Sequence, residues 1–231
     1  TTGHIPLIAL NKNGYKRILE LSSKSYLHNN TTSEPNLDIK ELFKNSDGMV
    51  VFSGSITGLF GKLFYKGKFD EIKNLYKNLS SEFGDRFYLE IQRHGDQNET
   101  SFEQFNLDKS LNLEIPLIAT NEVFYLQKNM HESHDALICI KNKNFINEKN
   151  RIMLSDQHYL KADSEMMELF SDLPEALENN YNFPYRCNFK PSFSKPILPN
   201  ISSQKEGNAD DILKKESIKG LNDKFEKFSN D

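Results

Sequence analysis

Three side chains that could bind a metal ion lie beside predicted strands of this 231-residue chain. His4 precedes the apolar run IPLIAL, His94 follows RFYLEIQ, and Glu122 follows PLIATN. In α/β folds, chemically active groups collect at strand ends on one side of the sheet or barrel. Imidazole and carboxylate groups bind borderline or hard divalent cations, and such a cation can activate water for phosphoester hydrolysis. His4, His94 and Glu122 are therefore candidate metal ligands.

Other histidines give weaker signals of the same kind. His131 and His134 are three residues apart in MHESHDALICI, a spacing that can chelate a metal from one helix face. Surface or capping roles are the more common explanation for such a pair. His28 and His158 have no possible partner nearby in the sequence. For each histidine, including His4 and His94, an ordinary hydrogen-bonded side chain is the simpler interpretation.

Several familiar catalytic motifs are absent from the sequence. GSITGLFG has neither the P-loop nor the dinucleotide-binding spacing, and there is no GxSxG, HExxH or paired CxxC motif. Cys139 and Cys187 are far apart and have no metal-binding spacing. Free thiols of a reducing compartment are the favoured interpretation, and a disulfide is the alternative.

Composition limits the class of protein further. Hydrophobic residues make up 37% of the chain and charged residues 27%, with a mean hydropathy of −0.65. No apolar run approaches the roughly 20 residues of a membrane span, so no membrane partner is expected. The formal net charge is −4, which excludes a nucleic-acid-binding protein whose whole surface is basic. Any contact with DNA is therefore local or belongs to another part of the protein.

Predicted strands and helices alternate along the first half of the chain, which indicates an α/β fold with a mostly parallel sheet or barrel. Beyond residue 128 the pattern is mainly helical. Residues 189–200 are predicted to be extended and 202–208 to be a linker. The predicted strands are 5–10, 49–53, 86–92 and 116–121, and the main predicted helices are 14–27 (capped by Asn13), 69–83, 99–113, 171–182 and 209–228.

Four strands are fewer than a closed (β/α) barrel needs, which indicates a fragment whose first strands lie upstream and whose edge strand is open. The absence of an initial Met supports the same expectation. In the last predicted helix, Ile218, Leu221, Phe225 and Phe228 recur at helical spacing. This stripe is expected to pack on another surface, while the lysine-rich face is expected to be solvated.

Seven blocks in this order closely resemble the PHP (polymerase and histidinol phosphatase) domain of the alpha subunit of bacterial DNA polymerase III. The resemblance covers nearly the whole chain and implies that residues 1–200 are the C-terminal portion of a distorted (β/α) PHP barrel. Residues 201–231 resemble a linker and the first helix of the polymerase core. The blocks are GHIPLIALNKNGYKRILELSSKSY, GMVVFSGSITG, FYLEIQRHG, PLIATNEVFYL, HDALICI, LPEALENNYNFPYRCN and PILPNI.

The resemblance implies a parent protein that is a bacterial, cytoplasmic replicative DNA polymerase. Its palm aspartates and Mg²⁺, its DNA-binding regions and its contacts with the sliding clamp and other replisome subunits would lie outside this fragment. PHP domains with an intact metal site can act as 3′→5′ exonucleases. Others have a degenerate site and serve as scaffold and docking surface for a separate proofreading exonuclease subunit.

At the metal site the resemblance is incomplete. The intact family pattern after the fourth strand is ATND-x-H-Y-L, with Asp and His as ligands, and here Glu122 and Phe124 stand at those positions. His4 and His94 match retained family ligands, whereas an HxH motif and a following His and Glu would lie upstream. Phe124 has no atom that can bind a metal. The simplest interpretation of Phe124 and Tyr125 is that they pack in the core or form a wall of the site. We therefore expect a degenerate Zn or Mn site in a scaffold domain; the alternatives are an active PHP-type exonuclease or phosphoesterase, and a pure interaction module.

Overall fold

The computed structural model describes residues 1–27, 34–196 and 208–229. The chain divides into two compact units, Thr1–Phe189 and Lys190–Asp231. His28 and the predicted linker up to residue 207 lie outside the described residues. No helix of the described ranges has the length and apolar character required to cross a bilayer.

A four-stranded sheet in the order β1-β2-β3-β4 forms the centre of the first unit. The strands are β1 Leu7–Ala9, β2 Met49–Phe52, β3 Phe87–Ile91 and β4 Leu117–Ala119. Strands β2, β3 and β4 are parallel, with Val51 opposite Phe87 and Leu89 opposite Leu117. This confirms the predicted mostly parallel α/β sheet, of the kind found in a PHP barrel-like domain. Strand β1 is antiparallel to β2, a pairing that the sequence pattern did not predict.

Helices follow the strands closely, as the βα alternation predicted. In the described residues they are α1 Lys12–Leu27, α2 Leu59–Tyr65, α3 Phe69–Phe83, α4 Glu99–Leu113, α5 His131–Asn142, α6 Asp163–Leu169, α7 Pro174–Asn182 and α8 Ala209–Ser229, with short 3₁₀ helices at Ile39–Phe43, Gly84–Arg86, Lys128–Met130 and Phe183–Arg186. In the second unit, the predicted apolar stripe of α8 is exposed: Ile218, Leu221, Phe225 and Phe228 are each more than half exposed.

The core lies between the sheet and helices α1 to α4, and the α6–α7 region adds Phe170 and Ala176 to it. Every residue of β2 and β3 is buried, as expected for strands covered on both faces. Helix α3 contributes Ile72, Tyr76 and Leu79, which are fully buried. Phe69, predicted to share that face, is about half exposed because it stands at the first position of the helix. Gly84, with φ 57°, ends α3 as predicted.

The start of α1 differs from the prediction that Asn13 caps it. The side-chain oxygen of Asn11 accepts hydrogen bonds from the backbone N–H groups of Asn13 (2.9 Å) and Gly14 (3.0 Å). Because a cap residue satisfies the free N–H groups two and three positions into a helix, Asn11 is the cap and Asn13 lies within the first turn. The prediction failed because two similar residues, Asn11 and Asn13, precede the same apolar pattern.

Candidate metal centre

The ends of β3 and β4 bring the candidate residues together. The two strands are parallel and in register, with Ile91 opposite Ala119. The pairing continues one residue further, where the backbone N–H of Thr120 donates to the Ile91 carbonyl at 3.0 Å. The residues that follow each strand, His94 and Asn121, therefore meet at the carboxyl edge of the sheet.

Helix α4 fixes the backbone at His94. The Glu99 carboxylate, at the first residue of α4, accepts the backbone N–H groups of His94 and Gly95, each at 2.8 Å to Oε2. Gly95 adopts φ 79°, a conformation that favours glycine, and it allows this turn. Burial by itself would raise the pKa of Glu99, but the neighbouring His94 side chain and the hydrogen bonds from both backbone groups lower it below its usual value. The carboxylate therefore stays ionised and holds His94, whose side chain is buried.

Asn121 fixes the orientation and tautomer of the His94 ring. The amide nitrogen of Asn121 donates to the Tyr159 carbonyl at 2.7 Å, and Lys161 Nζ donates to Oδ1 at 3.1 Å. These two contacts assign the amide, so Oδ1 faces His94 Nε2 at 3.0 Å and accepts its proton. The other ring nitrogen, Nδ1, lies 3.6 Å from Glu99 Oε1.

His158 lies directly against His94, although it is remote in the sequence. The two rings are stacked with centroids 4.0 Å apart and planes 7° apart. His158 Nδ1 lies 3.1 Å from the Glu122 carbonyl oxygen, to which it donates. Its Nε2 is buried and has no hydrogen-bond partner among the described residues. Burial and the neighbouring His94 lower the pKa of His158, which keeps the ring neutral.

Backbone pairing holds the His158 segment in this position. The N–H of Phe124 donates to the His158 carbonyl at 2.9 Å, and the N–H of Leu160 donates to the Tyr125 carbonyl at 3.0 Å. Tyr125 and Tyr159 thereby form an isolated parallel bridge. Tyr125 is buried, as predicted for a core residue, while Phe124 is half exposed and forms a wall beside His158.

One group of three metal-type donors results within the described ranges: His94, Asp96 and His158, whose ligand atoms all lie within 4.8 Å of one another. By donor type, two imidazoles and one carboxylate suit a divalent cation such as Zn²⁺. The His94 and His158 rings are stacked with nearly parallel planes, so their in-plane lone pairs do not point at one common ion in this arrangement. The orphaned Nε2 of His158 is consistent with such a ligand, since buried nitrogen atoms without partners are rare.

Of the predicted ligands, this group includes only His94. His4 is exposed and lines a groove of about 840 Å³ together with residues such as Glu34 and Leu75. Glu122 contributes its backbone carbonyl to His158. The sequence did not indicate Asp96, and His158 was set aside because no possible partner lies near it along the chain.

The weaker histidine candidates have ordinary roles. His131 Nε2 lies 2.9 Å from the Leu154 carbonyl oxygen, and His134 stacks on Phe124 with ring centroids 5.6 Å apart. Neither belongs to the group of metal-type donors. Cys139 and Cys187 are free thiols, as predicted.

Two polar networks support the edge of the sheet. Arg93, beside His94, pairs with Glu103 on α4 (2.6 Å) and with Asp172 between α6 and α7 (2.7 Å), and it also donates to the Leu169 carbonyl. On β3 itself, the buried Glu90 accepts hydrogen bonds from Thr120 and from Gln92 (2.8 Å).

Arg93 and Glu90 differ in whether they keep their charge when partly or fully buried. The partners of Arg93, Asp172 first and then Glu103, raise its pKa, so its charge is kept despite partial burial. Burial is the main cause that raises the pKa of Glu90, against the opposing effect of its hydrogen bonds. The edge of the sheet therefore contains a permanent cation and a carboxyl group that resists ionisation.

The architecture is that of an α/β domain, and comparison with known proteins shows what its sequence is similar to. The PHP domain family matches residues 1–94. The part of the chain that carries β1, β2, β3 and His94 is thus similar in sequence to PHP domains.

Curated relatives extend the similarity over nearly the whole chain. The chain is 36% identical over 217 residues to DNA polymerase III subunit alpha of Rickettsia bellii, a match that covers 94% of the chain and 18% of that protein. It is 33% identical over 220 residues to the protein of the same name in Caulobacter vibrioides, covering 95% of the chain and 19% of the relative. The protein of that name in Borreliella burgdorferi is 34% identical over 229 residues, covering 98% of the chain and 20% of the relative.

These matches confirm the resemblance identified from the sequence. The chain is similar to a segment of DNA polymerase III alpha subunits that includes a PHP domain. It spans about a fifth of the length of the relatives it matches.

Proposed function

We propose that this chain is part of the alpha subunit of a bacterial replicative DNA polymerase, where its PHP region serves mainly as a scaffold. The observation that carries the proposal is the similarity to such subunits over 94 to 98% of the chain. Template-directed DNA synthesis, with Mg²⁺ at palm aspartates, is assigned to other regions of the protein. The same regions would bind DNA, the sliding clamp and further replisome subunits in the bacterial cytoplasm.

The scaffold includes a docking surface for the proofreading exonuclease subunit. Support comes from apolar side chains on α5 and on the segment after it that are each more than half exposed: Leu137, Ile140, Phe145, Ile146, Ile152 and Met153. Exposed apolar groups of this kind are typical of surfaces that another protein covers. The identity of the partner is taken from the family resemblance.

The second candidate function is a PHP-type metal-dependent 3′→5′ exonuclease or phosphoesterase. It is favoured by the group His94, Asp96 and His158, which could hold Zn²⁺ or Mn²⁺. A bound divalent ion would supply a nucleophilic water at neutral pH and polarise a phosphoryl oxygen. Against efficient hydrolysis is Phe124, which stands where the family pattern has a ligating histidine, since productive sites tolerate only about 0.5 Å of misplacement.

Activity of the full-length protein, without a proofreading subunit, separates the two functions. The scaffold proposal predicts primer extension, with no metal-dependent removal of 3′ nucleotides by the wild type. The double variant Phe124→His, Glu122→Asp restores the family pattern and is expected to gain 3′ trimming. If the wild type already trims 3′ ends, and a chelator abolishes that trimming, the exonuclease function replaces the scaffold function.

Docking is tested by measuring the affinity of the full-length protein for the purified proofreading subunit. Ile140→Asp is expected to weaken binding at least tenfold, because it places a charge within the exposed apolar group on α5. Leu111→Asp is the matched control, since Leu111 is an equally exposed apolar residue on α4. Equal affinities of the two variants would remove the docking role from α5.

A further inference from the structure

We infer that the docking surface on α5 and on the segment after it recognises an acidic, amphipathic segment of its partner, one that combines apolar side chains with carboxylates. The apolar centre of the surface packs against the partner's apolar side chains, and a rim of lysines pairs with its carboxylates. The inference rests on the proposed docking function and deepens it, because it names the chemistry of the partner's contact region.

The first argument is the charge that lies among the apolar residues of the docking surface. Three exposed lysines occur there, and in the part of the chain that the structure describes none of them forms an ion pair. They are Lys141, Lys143 and Lys149. The only acidic residue within 137–153 is Glu148, whose carboxylate accepts the Asn144 amide at 2.7 Å. The rim of the surface is therefore positive.

The second argument is that the arginine of this stretch, Arg151, does not belong to the rim. It pairs with Asp135 of α5, with 2.7 Å between Nη2 and Oδ2, and the two side chains are only 6% and 16% exposed. The guanidinium lowers the pKa of Asp135 below its usual value, so the carboxylate stays ionised. Because these two buried charges offset each other, the exposed lysines set the sign of the surface.

The third argument is that the surface has a fixed shape before any partner binds. Arg151 donates to the backbone carbonyls of Ile146 (3.0 Å) and Ile152 (3.3 Å), and both of these apolar side chains are exposed. Its pairing with Asp135 attaches them to α5. The segment 143–155 contains neither helix nor strand and contributes no residue to the two apolar core clusters, so these polar contacts hold it in place. A surface held in this way loses little conformational entropy when it binds.

The fourth argument concerns the kind of partner that fits an apolar centre with a positive rim. Protein interfaces commonly have an apolar core and a polar rim, and complementary charges at the rim speed association and fix the register of the partner. The whole chain has a net charge of −4, so this rim departs locally from the overall charge. Nucleic acid is the other polyanion that lysines attract, but it is bound mainly through polar contacts to phosphates. The exposed apolar centre therefore favours an acidic protein segment.

The test is the affinity of the full-length protein for the purified proofreading subunit, measured over a range of salt concentrations. The double variant Lys141→Gln, Lys149→Gln removes two charges of the rim. It is expected to weaken binding by about three- to tenfold at low salt and to make binding less dependent on salt. The matched control is Lys73→Gln, Lys77→Gln, which removes two exposed lysines of α3 that form no ion pair within the described ranges. This control is expected to bind as the wild type does at every salt concentration.

Equal affinity and equal salt dependence for the wild type and Lys141→Gln, Lys149→Gln would overturn the inference. It would also be overturned if a DNA oligonucleotide displaced the proofreading subunit from the wild type but not from this variant, because the surface would then bind nucleic acid. Ile140→Asp separates the inference from the docking function on which it rests. If Ile140→Asp weakens binding and the lysine variant does not, docking stands and the acidic partner segment is wrong. If neither weakens binding, the docking surface itself is wrong and the inference is overturned with it.

Discussion

The side-chain oxygen of Asn121 accepts the Nε2 proton of His94 at 3.0 Å and so joins the end of β4 to the end of β3. The same amide donates to the Tyr159 carbonyl at 2.7 Å. Asn121 thus connects His94 with the segment that carries His158. It is a positioning residue, because it orients the His94 ring and is not itself one of the metal-type donors.

Asn121→Ala is expected to lower the local free energy of unfolding at the ends of β3 and β4 by about 1–2 kcal/mol, because His94 Nε2 and the Tyr159 carbonyl both lose their hydrogen-bond partner. Hydrogen exchange of the β3 and β4 amides in the full-length protein measures the change. Asn112→Ala is the matched control, since the Asn112 amide bonds within α4, to Asp108. Equal exchange in the two variants would show that Asn121 does not hold the strand ends together.

Arg93 is expected to stabilise the turn that carries His94 by linking it to Glu103 and Asp172. Arg93→Ala removes charge-assisted hydrogen bonds to Glu103 and Asp172 and should lower the local free energy of unfolding by about 2 kcal/mol. Hydrogen exchange of β3 and α4 in the full-length protein measures this. Lys68→Ala is the control, because the Lys68–Glu71 pair is exposed and its loss should change exchange very little. Similar exchange in the two variants would contradict the stabilising role of Arg93.

Glu90 is expected to make the stability of β3 depend on pH. Burial raises the pKa of this carboxyl group above its unfolded value. Stability is therefore fully present below the unfolded pKa and falls as pH rises from there through the folded pKa, because the unfolded chain ionises more readily. Glu90→Gln keeps an oxygen acceptor for Thr120 and Gln92 but does not titrate.

Hydrogen exchange of the β3 and β4 amides, corrected for intrinsic rates, measures this difference across the acidic to neutral range. The wild type should lose protection with rising pH, and Glu90→Gln should not. Parallel curves for the two proteins would show that Glu90 is not the group responsible.

Replacing glycine with alanine is expected to change helix stability in opposite directions at Gly14 and Gly220. A Cβ at Gly14 would lie 1.8 Å from the Gly48 carbonyl oxygen, so Gly14→Ala should destabilise the packing of α1 by about 2 kcal/mol or more. Gly220 on α8 has no neighbour within 4 Å among the described residues, and Gly220→Ala should stabilise that helix by about 1 kcal/mol. Hydrogen exchange of each helix measures both effects, and destabilisation by Gly220→Ala would contradict the assignment of an open surface there.

The sequence by itself determined most of the secondary structure. The apolar runs at β2, β3 and β4 and the helical spacing of apolar residues in α3 are signals carried by residues that are close together along the chain. Such local signals do not depend on distant partners. The order of the seven blocks was equally readable, and it identified the PHP resemblance that the comparisons confirm.

The tertiary structure decided which residues share the site. His94 was predictable as a candidate because it follows a buried strand, whereas His158 carries no such local signal and is placed by backbone pairing with Phe124 and Tyr125. The antiparallel direction of β1 was likewise undetermined by its own three residues. The physical reason is the same in both cases: strand direction and ring stacking are set by contacts between segments far apart in the chain, which no local pattern of residues encodes.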